Sequence, residues 1–213
     1  YLYVTRDAGL SWTYVGTASF VGCTNSGLVV YGRWDPNSQH NYLYKSSNKG
    51  VSFQQLSGSF PPGDGSVKGD LVLMKHNIFT DYSKTINPNT GTISTVAYSD
   101  NLLDGYFEGS WGTVVGSDGF LQDNQMSGQY EDRDYVDMNQ FQAVDGAPGH
   151  YRFAVGENAV MSDMVLDGNG GWSPVMDTDG NGIKGLFYSI DMLPDGTFFV
   201  GGTHGSFMKC QPS

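Results

Sequence analysis

Short runs of apolar and polar residues follow one another along the chain, and clusters of Gly, Asn, Ser, Asp and Pro separate them. Such runs are typical of strands, and such clusters are typical of turns. Ser19–Cys23 and Gly27–Gly32, for example, predict two strands around a turn at Asn25-Ser26-Gly27. Comparable runs predict strands at Asn41–Lys45, Asp70–Lys75, Asn77–Thr80, Thr92–Tyr98, Leu186–Asp191, Thr197–Gly202 and Ser206–Cys210. The pattern favours an all-β fold.

One stretch near the N-terminus, Thr5–Trp12, predicts a tight turn between two strands. Asp7 can accept hydrogen bonds from backbone N–H groups of its own turn, and Gly9 can take the positive φ that the reversal requires. Trp12 can tuck under the turn as an apolar plug. The same string returns at Ser46–Phe53. The residues predicted to build the two turns are Thr5, Asp7, Gly9 and Trp12, and then Ser46, Asn48, Gly50 and Phe53.

These two stretches resemble the Asp-box, a Ser/Thr-x-Asp-x-Gly-x-Ser/Thr-Trp pattern on the outer hairpins of sialidase-like and related β-propellers. The first stretch fits every defined position, and the second has Asn48 and Phe53 where the pattern has Asp and Trp. The Asp-box is a structural element of that family. The resemblance therefore implies propeller architecture and leaves the activity open, because propellers host many functions.

Two further strings, Ser99–Gly105 and Ser162–Gly168, share five of their seven residues, and each runs on to a tryptophan. We interpret both as expanded relatives of the same hairpin. The aromatic residues that would close the four hairpins are Trp12, Phe53, Trp111 and Trp172. Their wide spacing predicts units of about four strands each.

The prediction for the whole chain is an all-β fold with a single β-propeller domain over residues 1–213. It would have about five four-stranded blades, of which the first and last are incomplete in sequence. The N-terminal hairpin lacks inner strands and the last unit lacks its outer strand, so we expect the two ends to meet and close a ring. Because Tyr1 already lies within a predicted strand, we expect a fragment of a longer chain, in which missing upstream residues could support oligomerisation.

Composition agrees with this class and limits the partners. The chain has 30 Gly, 13 Tyr and 12 Phe, a balance that favours strands and tight turns. The net charge of −11 argues against nucleic acid as a partner. There is no run of about 18 apolar residues, so membrane insertion is not expected. Cys23 and Cys210 could form a disulfide between the two ends or remain as buried free thiols.

Calcium is the expected cofactor, and a loop near residue 180 is its predicted site. Asp177, Asp179 and Asn181 place oxygen-bearing side chains at alternate positions, and Ile183 can offer its carbonyl after Gly182. The second half of a calcium loop is missing, so the alternative is a solvated Asp/Gly turn. A second acidic run, Glu131–Asp137, could hold an ion, although a solvated edge is the simpler interpretation.

The predicted ligand-binding residues are Trp34, Asp35 and His40, in a long loop over Arg33–His40. Trp34 could be a platform for a sugar ring, or it could simply pack. Catalytic groups are harder to find. The arginines that a sialidase needs cannot easily be assembled from this chain, and its histidines have no metal-ligand spacing. These residues are Arg6, Arg33, Arg133 and Arg152, and His40, His76, His150 and His204.

The expected function is therefore non-catalytic binding of a cell-surface ligand, with a glycan as the expected ligand. Aspartate-rich, glycine-rich heads of this kind loosely resemble the receptor-binding heads of spike proteins in marine tail-less phages. That resemblance implies attachment of a virion to its host and a location outside the cell or on a virion surface. The alternatives are a secreted glycoside hydrolase or lyase, whose two carboxylates could converge on the ring axis, and an assembly factor that docks a partner protein.

Overall fold

The computed structural model describes residues 1–60, 65–75, 83–95, 102–109, 111–116, 121–125, 129–132, 140–148, 151–157, 160–163 and 172–211. Within these ranges the regular elements are β-strands and one 3₁₀ turn at Thr203–Gly205. The strands form several small antiparallel sheets, and neighbours in a sheet are consecutive in the chain. The prediction of an all-β fold is confirmed.

The described strands form six sheets, which we name in chain order. The N-terminal hairpin has β1 (Leu2–Val4) and β2 (Thr13–Gly16). Sheet I has β3 (Phe20–Cys23), β4 (Val29–Asp35), β5 (His40–Ser46) and β6 (Gln54–Gln55). Sheet II has β7 (Gly65–Lys68), β8 (Leu71–Met74), β9 (Lys84–Ile86) and β10 (Ile93–Thr95). Sheet III has β11 (Leu102–Glu108), β12 (Trp111–Gly116), β13 (Leu121–Gln125) and β14 (Gln129–Asp132).

Sheet IV has β15 (Phe141–Gly146), β16 (Arg152–Gly156), β17 (Val160–Asp163) and β18 (Trp172–Pro174). Sheet V has three strands, β19 (Phe187–Met192), β20 (Phe198–Gly202) and β21 (Phe207–Cys210). Most of the strands that the sequence predicts are present, but β6, β7, β9 and β11 to β18 were not predicted as strands, and the predicted strand Asn77–Thr80 lies outside the described ranges. The two incomplete end units that the sequence predicts also correspond to a two-stranded and a three-stranded sheet.

Sheets I to V stack in chain order, and an apolar cluster fills each of the four interfaces. Strand β3 contacts β7, β7 contacts β11, β11 contacts β15, and β15 contacts β19. Strands inside the stack are buried along their whole length, as in β8 and β16, because neighbouring sheets cover both of their faces. The clusters are centred on Val30 and Ile86, on Leu73 and Phe107, on Phe141 and Trp172, and on Phe153 and Phe198.

Sheets II and III approach so closely at Gly69 that their backbones are hydrogen-bonded. Gly69 pairs with Phe107 in a parallel bridge, and the Asp70 N–H donates to the Phe107 carbonyl at 2.7 Å. The Gly69 carbonyl accepts the Asn25 N–H at 2.7 Å. Gly69 has a φ of +69°, and a Cβ there would lie 1.8 Å from the Phe107 oxygen. This position therefore requires glycine for its backbone angle and for the contact.

The two end sheets do not pair in the described part of the chain. Strands β1 and β2 form one sheet and β19–β21 form another, so the expected joining of the ends is not observed. The N-terminal hairpin instead contacts sheet I, where Arg6 Nη2 donates to the Gly50 carbonyl at 3.1 Å.

One of the two expanded hairpins predicted from the sequence is wrong. Within Ser99–Gly105, the residues from Leu102 onward belong to β11, the first strand of sheet III, and residues 99–101 lie outside the described ranges. Trp111 begins the next strand and pairs with Glu108. The Asp104-Gly105 pair, which was interpreted as part of a turn, lies within this strand. The second prediction agrees better, because Trp172 begins β18, opposite Asp163 of β17, and is buried.

The Thr5–Trp12 turn is built as the sequence predicts. The Thr5 hydroxyl donates to Asp7 Oδ1 at 2.9 Å and accepts the Gly9 N–H at 2.8 Å. Asp7 Oδ1 also accepts the Ser11 N–H at 2.8 Å. Gly9 has a φ of +92°. The turn is therefore closed by its own side chains.

The Ser46–Phe53 turn repeats these bonds with an amide in place of the carboxylate. The Ser46 hydroxyl donates to Asn48 Oδ1 at 2.8 Å and accepts the Gly50 N–H at 2.9 Å. Asn48 Oδ1 accepts the Ser52 N–H at 3.0 Å. Gly50 has a φ of +78°. Asparagine thus performs the same structural role as Asp7 without its charge.

The aromatic residues of the two turns differ in burial. Phe53 is half-buried against Tyr31, with the ring centroids 5.0 Å apart. Trp12 is 60% exposed, so its predicted role as a buried plug is wrong. Its indole N–H instead donates to the Gly9 carbonyl at 3.1 Å, over the surface of the turn. The difference arises because the N-terminal hairpin has no further strands of its own in the described chain to cover the ring.

Substitutions of Asp7 should separate the turn's hydrogen bonds from its charge. We expect Asp7→Ala to lower the melting temperature at pH 7 by about 2–4 °C, the change that loss of one ordinary interaction produces in a domain of this size. Asp7→Asn should lower it less, because Asn48 shows that an amide oxygen accepts the same N–H groups. Thermal melts followed by circular dichroism would measure both values. Equal melting temperatures for wild type and Asp7→Ala would refute the structural role.

The pH dependence of the same variants has a definite sign. Hydrogen bonds from the Ser11 hydroxyl, the Ser11 N–H and the Thr5 hydroxyl lower the pKa of Asp7 to about 2. A carboxyl pKa that is lowered by folding stabilises the folded protein at pH values above about 3.9, the pKa of aspartate in the unfolded chain. That stabilisation is lost as the pH falls towards 2. The difference between wild type and Asp7→Asn should therefore shrink when melts at pH 7 are compared with melts near pH 3.

The two cysteines are free thiols, so the disulfide is not formed. Cys23 is exposed on β3, which also contradicts the expectation of two buried thiols. Cys210 on β21 is half-buried against the cluster between sheets IV and V, and this burial raises the pKa of its thiol. The two residues lie in sheets I and V, which explains why they are not bridged.

Candidate functional site

A cleft of about 380 Å³ lies between sheets I and II, beside the Ser46–Phe53 turn. This volume is within the range of sites for small molecules. Its walls come from sheet I, from that turn, and from the turn between β9 and β10. The residues that line it are Leu28, Lys45, Ser46, Ser47, Asn48, Ser52, Phe53, Gln54 and Asn89.

The apolar wall of the cleft is held in place from behind. Phe53 meets the ring of Tyr31 edge-on, at an interplanar angle of 77°. Tyr31 in turn stacks on Tyr44, with the centroids 4.8 Å apart. Aromatic contacts of this kind add to the burial energy and fix ring orientation. Phe53 therefore presents a rigid apolar surface beside the polar groups.

The polar groups of the cleft are available to a ligand. The side chains of Ser47, Gln54 and Asn89 are exposed, and no hydrogen bond to them is recorded from the described residues. Lys45 Nζ donates to the Pro88 carbonyl at 3.0 Å and to the Asn89 carbonyl at 3.3 Å. Hydroxyl, amide and ammonium groups around one aromatic ring can recognise a ligand that has many hydroxyl groups and an apolar face.

The residues predicted to bind ligand lie on a different hairpin. Trp34 and Asp35 end β4 and His40 begins β5, so the long loop predicted there is wrong and only residues 36–39 connect the strands. Asp35 is opposite His40, and Trp34 is opposite Asn41. Because consecutive residues of a strand point to opposite faces, Trp34 is on the other face from Asp35 and His40.

The hairpin uses two of these three side chains to close its own turn. Asp35 accepts the Asn37 N–H at 3.0 Å and the Ser38 hydroxyl at 2.9 Å, and these bonds lower the pKa of Asp35. His40 Nδ1 lies 2.6 Å from the Ser38 carbonyl. Trp34 is 39% exposed and makes the hairpin's aromatic surface. A ligand role for the three residues stays a prediction.

The predicted calcium loop is a hairpin turn that satisfies Asp177. Asp177 Oδ1 accepts the N–H groups of Asp179 and Asn181, each at 2.9 Å, and these bonds lower the pKa of the carboxyl. The Ile183 N–H donates to the Val175 carbonyl at 3.0 Å. Among the described residues there is no group of three or more His, Cys, Asp or Glu side chains placed to hold a metal. Calcium binding through Asp177, Asp179, Asn181 and the Ile183 carbonyl stays a prediction. The Glu131–Asp137 run falls mostly outside the described ranges.

A calcium titration tests that prediction directly. If an ion binds only the folded protein at one hundred times its Kd, it adds about 2.7 kcal/mol to stability. We therefore expect millimolar calcium to raise the melting temperature and a chelator to reverse the rise. The double variant Asp177→Ala/Asp179→Ala should lose the response. An unchanged melting temperature of wild type in several millimolar calcium would identify the loop as a self-sufficient turn.

A cluster of charged groups, which we call the Lys68 junction, lies where the first strands of sheets II to V meet. Lys68 of β7 forms an ion pair with Asp104 of β11, with Nζ and Oδ2 2.8 Å apart. The same ammonium donates to the Val144 carbonyl of β15 at 2.8 Å and to the Ile190 carbonyl of β19 at 3.2 Å. One side chain of sheet II therefore touches each of the three following sheets.

The aspartates of the junction also bond to backbone N–H groups of the next sheet. Asp104 Oδ2 accepts the Val144 N–H at 3.2 Å, and Asp145 Oδ2 accepts the Met192 N–H at 2.9 Å. Burial raises the pKa of Asp145 to about 6, although the charge of Lys68 and the Met192 N–H oppose this. Burial alone would lower the pKa of Lys68, but the charges of Asp104 and Asp145 outweigh it and raise the pKa. The junction is consequently a charged centre whose contacts link sheets II to V.

A tyrosine and a glutamate also lie together near the junction. Tyr106 donates its hydroxyl hydrogen bond to Glu108 Oε2 at 3.3 Å and accepts one from Asn25 Nδ2 at 3.2 Å. Burial raises the pKa of Tyr106, and Glu108 and Asp145 add to that effect. Only 1% of Tyr106 is exposed, so a substrate cannot reach its oxygen. This pair ties sheet III to the β3–β4 turn rather than supplying a nucleophile.

Sequence reasoning did not find the Lys68 junction or the cleft. An apolar residue followed by aspartate recurs in three successive first strands, at Leu103-Asp104, Val144-Asp145 and Ile190-Asp191, and this pattern could have indicated the junction. The cleft has no such signal, because it combines a turn of sheet I with Asn89 of sheet II.

No known family model matches the chain, and no curated protein is similar to it in sequence. Among solved structures, it resembles the crystal structure of the computationally designed Ika8 protein, with a TM-score of 0.57 at 12% sequence identity. The match covers 89% of this chain and 56% of the designed one, so the chain spans little more than half of that protein's length. At this identity the similarity concerns the fold alone.

Proposed function

We propose that the chain is a β-propeller module that binds a saccharide without transforming it. In this proposal sheets I to V are successive blades, and the N-terminal hairpin is the outer part of a further blade. Three observations support the propeller: sheets I to V stack in chain order, the first strands of sheets II to V meet at Lys68, and the two Asp-box turns have the same hydrogen bonds. The second turn joins β5 and β6, the last two strands of sheet I, which agrees with the outer-hairpin position of the Asp-box in that family.

The cleft between sheets I and II carries the functional part of the proposal. Sugar rings present an apolar face and a rim of hydroxyl groups, so a rigid aromatic surface beside amide and hydroxyl groups suits them. Phe53 supplies the surface, and Ser47, Gln54 and Asn89 supply the polar groups. Arg152, one of the chain's four arginines, donates to the Thr113 hydroxyl at 2.7 Å inside the fold.

The proposal keeps the setting that the sequence suggests. Saccharides are displayed on cell surfaces, and a propeller that binds them there would act outside the cell or on the surface of a virion. The receptor-binding head of a viral spike is the specific role that we propose within that setting.

Binding is tested by a glycan array followed by calorimetry with the best neutral or charged probe on the array. We expect Gln54→Ala/Asn89→Ala to weaken binding by about tenfold, which corresponds to about 1.4 kcal/mol. Both side chains are exposed, so the variant should keep the melting temperature of wild type. The matched variant Trp34→Ala removes the exposed aromatic side chain of the β4–β5 hairpin, which is the alternative binding surface for a sugar.

Each outcome decides between the sites and the functions. Loss of affinity in Trp34→Ala with no change in the cleft variant would move the site to the β4–β5 hairpin. An array with no binding would refute the saccharide proposal. Release of cleaved product from a bound glycan would favour the hydrolase or lyase alternative.

A further inference from the structure

We infer that the saccharide bound in the cleft carries an acidic group, a carboxylate or a sulfate, which Lys45 holds. The inference rests on the proposed saccharide-binding function and adds the chemical class of the ligand. It comes from the charges in the cleft and from the residue at position 48.

Lys45 is a half-buried cation whose recorded partners are both neutral. An ammonium group has three N–H donors, and two of them go to the carbonyls of Pro88 and Asn89. None of the residues that line the cleft is acidic. No carboxylate is paired with Lys45 among the described residues. Its third donor and its positive charge can therefore serve an anionic group of a ligand, and hydrogen bonds between charged partners are stronger than neutral ones.

The rest of the protein makes this local charge unusual. Its net charge is −11, so its overall field opposes acidic ligands. At physiological ionic strength that field is screened beyond about 8 Å, whereas a contact inside a cleft is screened much less. A lysine with no acidic residue beside it in the lining of the cleft thus makes the cleft a place where an acidic sugar can be bound despite the acidic surface.

In the Ser46–Phe53 turn, an asparagine takes the position that an aspartate has in the first turn, so the turn adds no acidic side chain to the cleft. The corresponding position of the first turn is Asp7, whose carboxylate accepts the Ser11 N–H and the Ser11 hydroxyl. Asn48 accepts the Ser52 N–H in the same way and donates its amide N–H to the Ser52 hydroxyl at 2.9 Å. Aspartate at position 48 would therefore preserve the turn and place a negative charge in the lining of the cleft.

This equivalence provides a variant that changes charge without changing structure. We expect Asn48→Asp to fold with an unchanged melting temperature, since the first turn already shows the same bonds with aspartate. It should bind an acidic saccharide at least tenfold more weakly than wild type does. Lys45→Gln should show a similar loss, and neither variant should change the affinity for a neutral saccharide by more than about twofold.

The experiment uses short probes, so that repulsion from the whole protein stays small. Trigalacturonic acid supplies a carboxylate, a sulfated chondroitin disaccharide supplies a sulfate, and maltotriose is the neutral reference. Calorimetry at low and physiological salt measures the three affinities for wild type, Asn48→Asp, Lys45→Gln and Gln54→Ala/Asn89→Ala. Wild type should bind at least one acidic probe more tightly than maltotriose, and added salt should weaken that preference. The acidic probe that binds more tightly shows whether the cleft prefers a carboxylate or a sulfate.

Two failures would have different meanings. If maltotriose binds as tightly as both acidic probes and Gln54→Ala/Asn89→Ala weakens it, the cleft binds saccharide and the acidic class is wrong. The same conclusion follows if Asn48→Asp and Lys45→Gln both retain full affinity for an acidic probe. If no probe binds and the glycan array is also empty, the proposed function itself fails, and the inference with it.

Discussion

Replacement of Lys68 by methionine is expected to lower the free energy of unfolding by about 3–5 kcal/mol, the usual cost of removing one partner from a buried ion pair. The reason is the set of groups that the change leaves behind. Asp104 loses its counter-ion, and the carbonyls of Val144 and Ile190 lose their donor. Methionine has a similar length and keeps most of the apolar packing, so the loss reports on the charge and its bonds. Urea denaturation at pH 7 measures it.

Lys45→Met is the matched control. Lys45 also donates to two backbone carbonyls and also links two sheets, but no carboxylate is paired with it among the described residues. We expect this variant to lose less than about 1 kcal/mol, as is usual for partly exposed polar contacts. Equal losses for the two variants would show that the Lys68 junction contributes no more than an ordinary surface contact.

The loss in Lys68→Met should depend on pH. The raised pKa of Asp145, about 6, means that the folded protein binds this proton more tightly than the unfolded chain does. The stability of the folded protein therefore falls as the pH rises from about 3.9 through 6, because Asp145 must give up its proton in a buried position. Without the cation, which now opposes the effect of burial, Asp145 should take up a proton more readily. We expect the difference between wild type and Lys68→Met to be smaller at pH 5 than at pH 7.5.

Replacement of Gly69 by alanine is expected to lower the free energy of unfolding by more than about 4 kcal/mol. Losses of this size come from a specific structural cause, such as a clash in the core. The new Cβ would lie 1.8 Å from the backbone carbonyl oxygen of Phe107 and 2.6 Å from its carbonyl carbon. Both atoms are backbone of sheet III, so no side chain can move aside. Relief would require sheets II and III to separate, with loss of the bond from the Asp70 N–H to the Phe107 carbonyl.

Gly91→Ala separates the clash from the backbone angle. Gly91 has a φ of +77°, close to the +69° of Gly69, and a Cβ there would meet nothing within 4 Å. The strain of alanine in this region costs about 1–2 kcal/mol. We expect Gly91→Ala to lose only that amount in urea denaturation. A loss in Gly69→Ala no greater than in Gly91→Ala would mean that the sheets adjust without cost.

The sequence predicts the local structure of this chain well because the relevant physics is local. The Thr5–Trp12 and Ser46–Phe53 turns depend on side chains within a few residues of one another, and each forms the bonds that its residue types suggest. Strands bounded by turn residues were also found for the same reason. The error at Ser99–Gly105 shows the limit, because an Asp-Gly pair that is typical of a turn lies within β11.

Features that join distant parts of the chain could not be predicted in this way. Lys68 and Ile190 are 122 residues apart, and nothing near either residue indicates the other. The burial of Trp172 and the exposure of Trp12 depend on which sheets cover them rather than on their own hairpins. The cleft likewise requires Asn89 of sheet II to meet the turn of sheet I, so the sequence alone indicated Trp34 instead.

The contacts of Lys68 with sheets III, IV and V constrain the number of sheets that can lie between sheet II and sheet V. Stacked units of this kind are commonly gained or lost by duplication and deletion, because each unit contacts only its neighbours. Here a single ammonium must meet Asp104, Val144 and Ile190 in three consecutive units. An added or removed unit would leave the half-buried Lys68 facing the wrong partners. The bond to Ile190 spans 122 residues of chain, so we expect it to form later in folding than the contacts within each sheet.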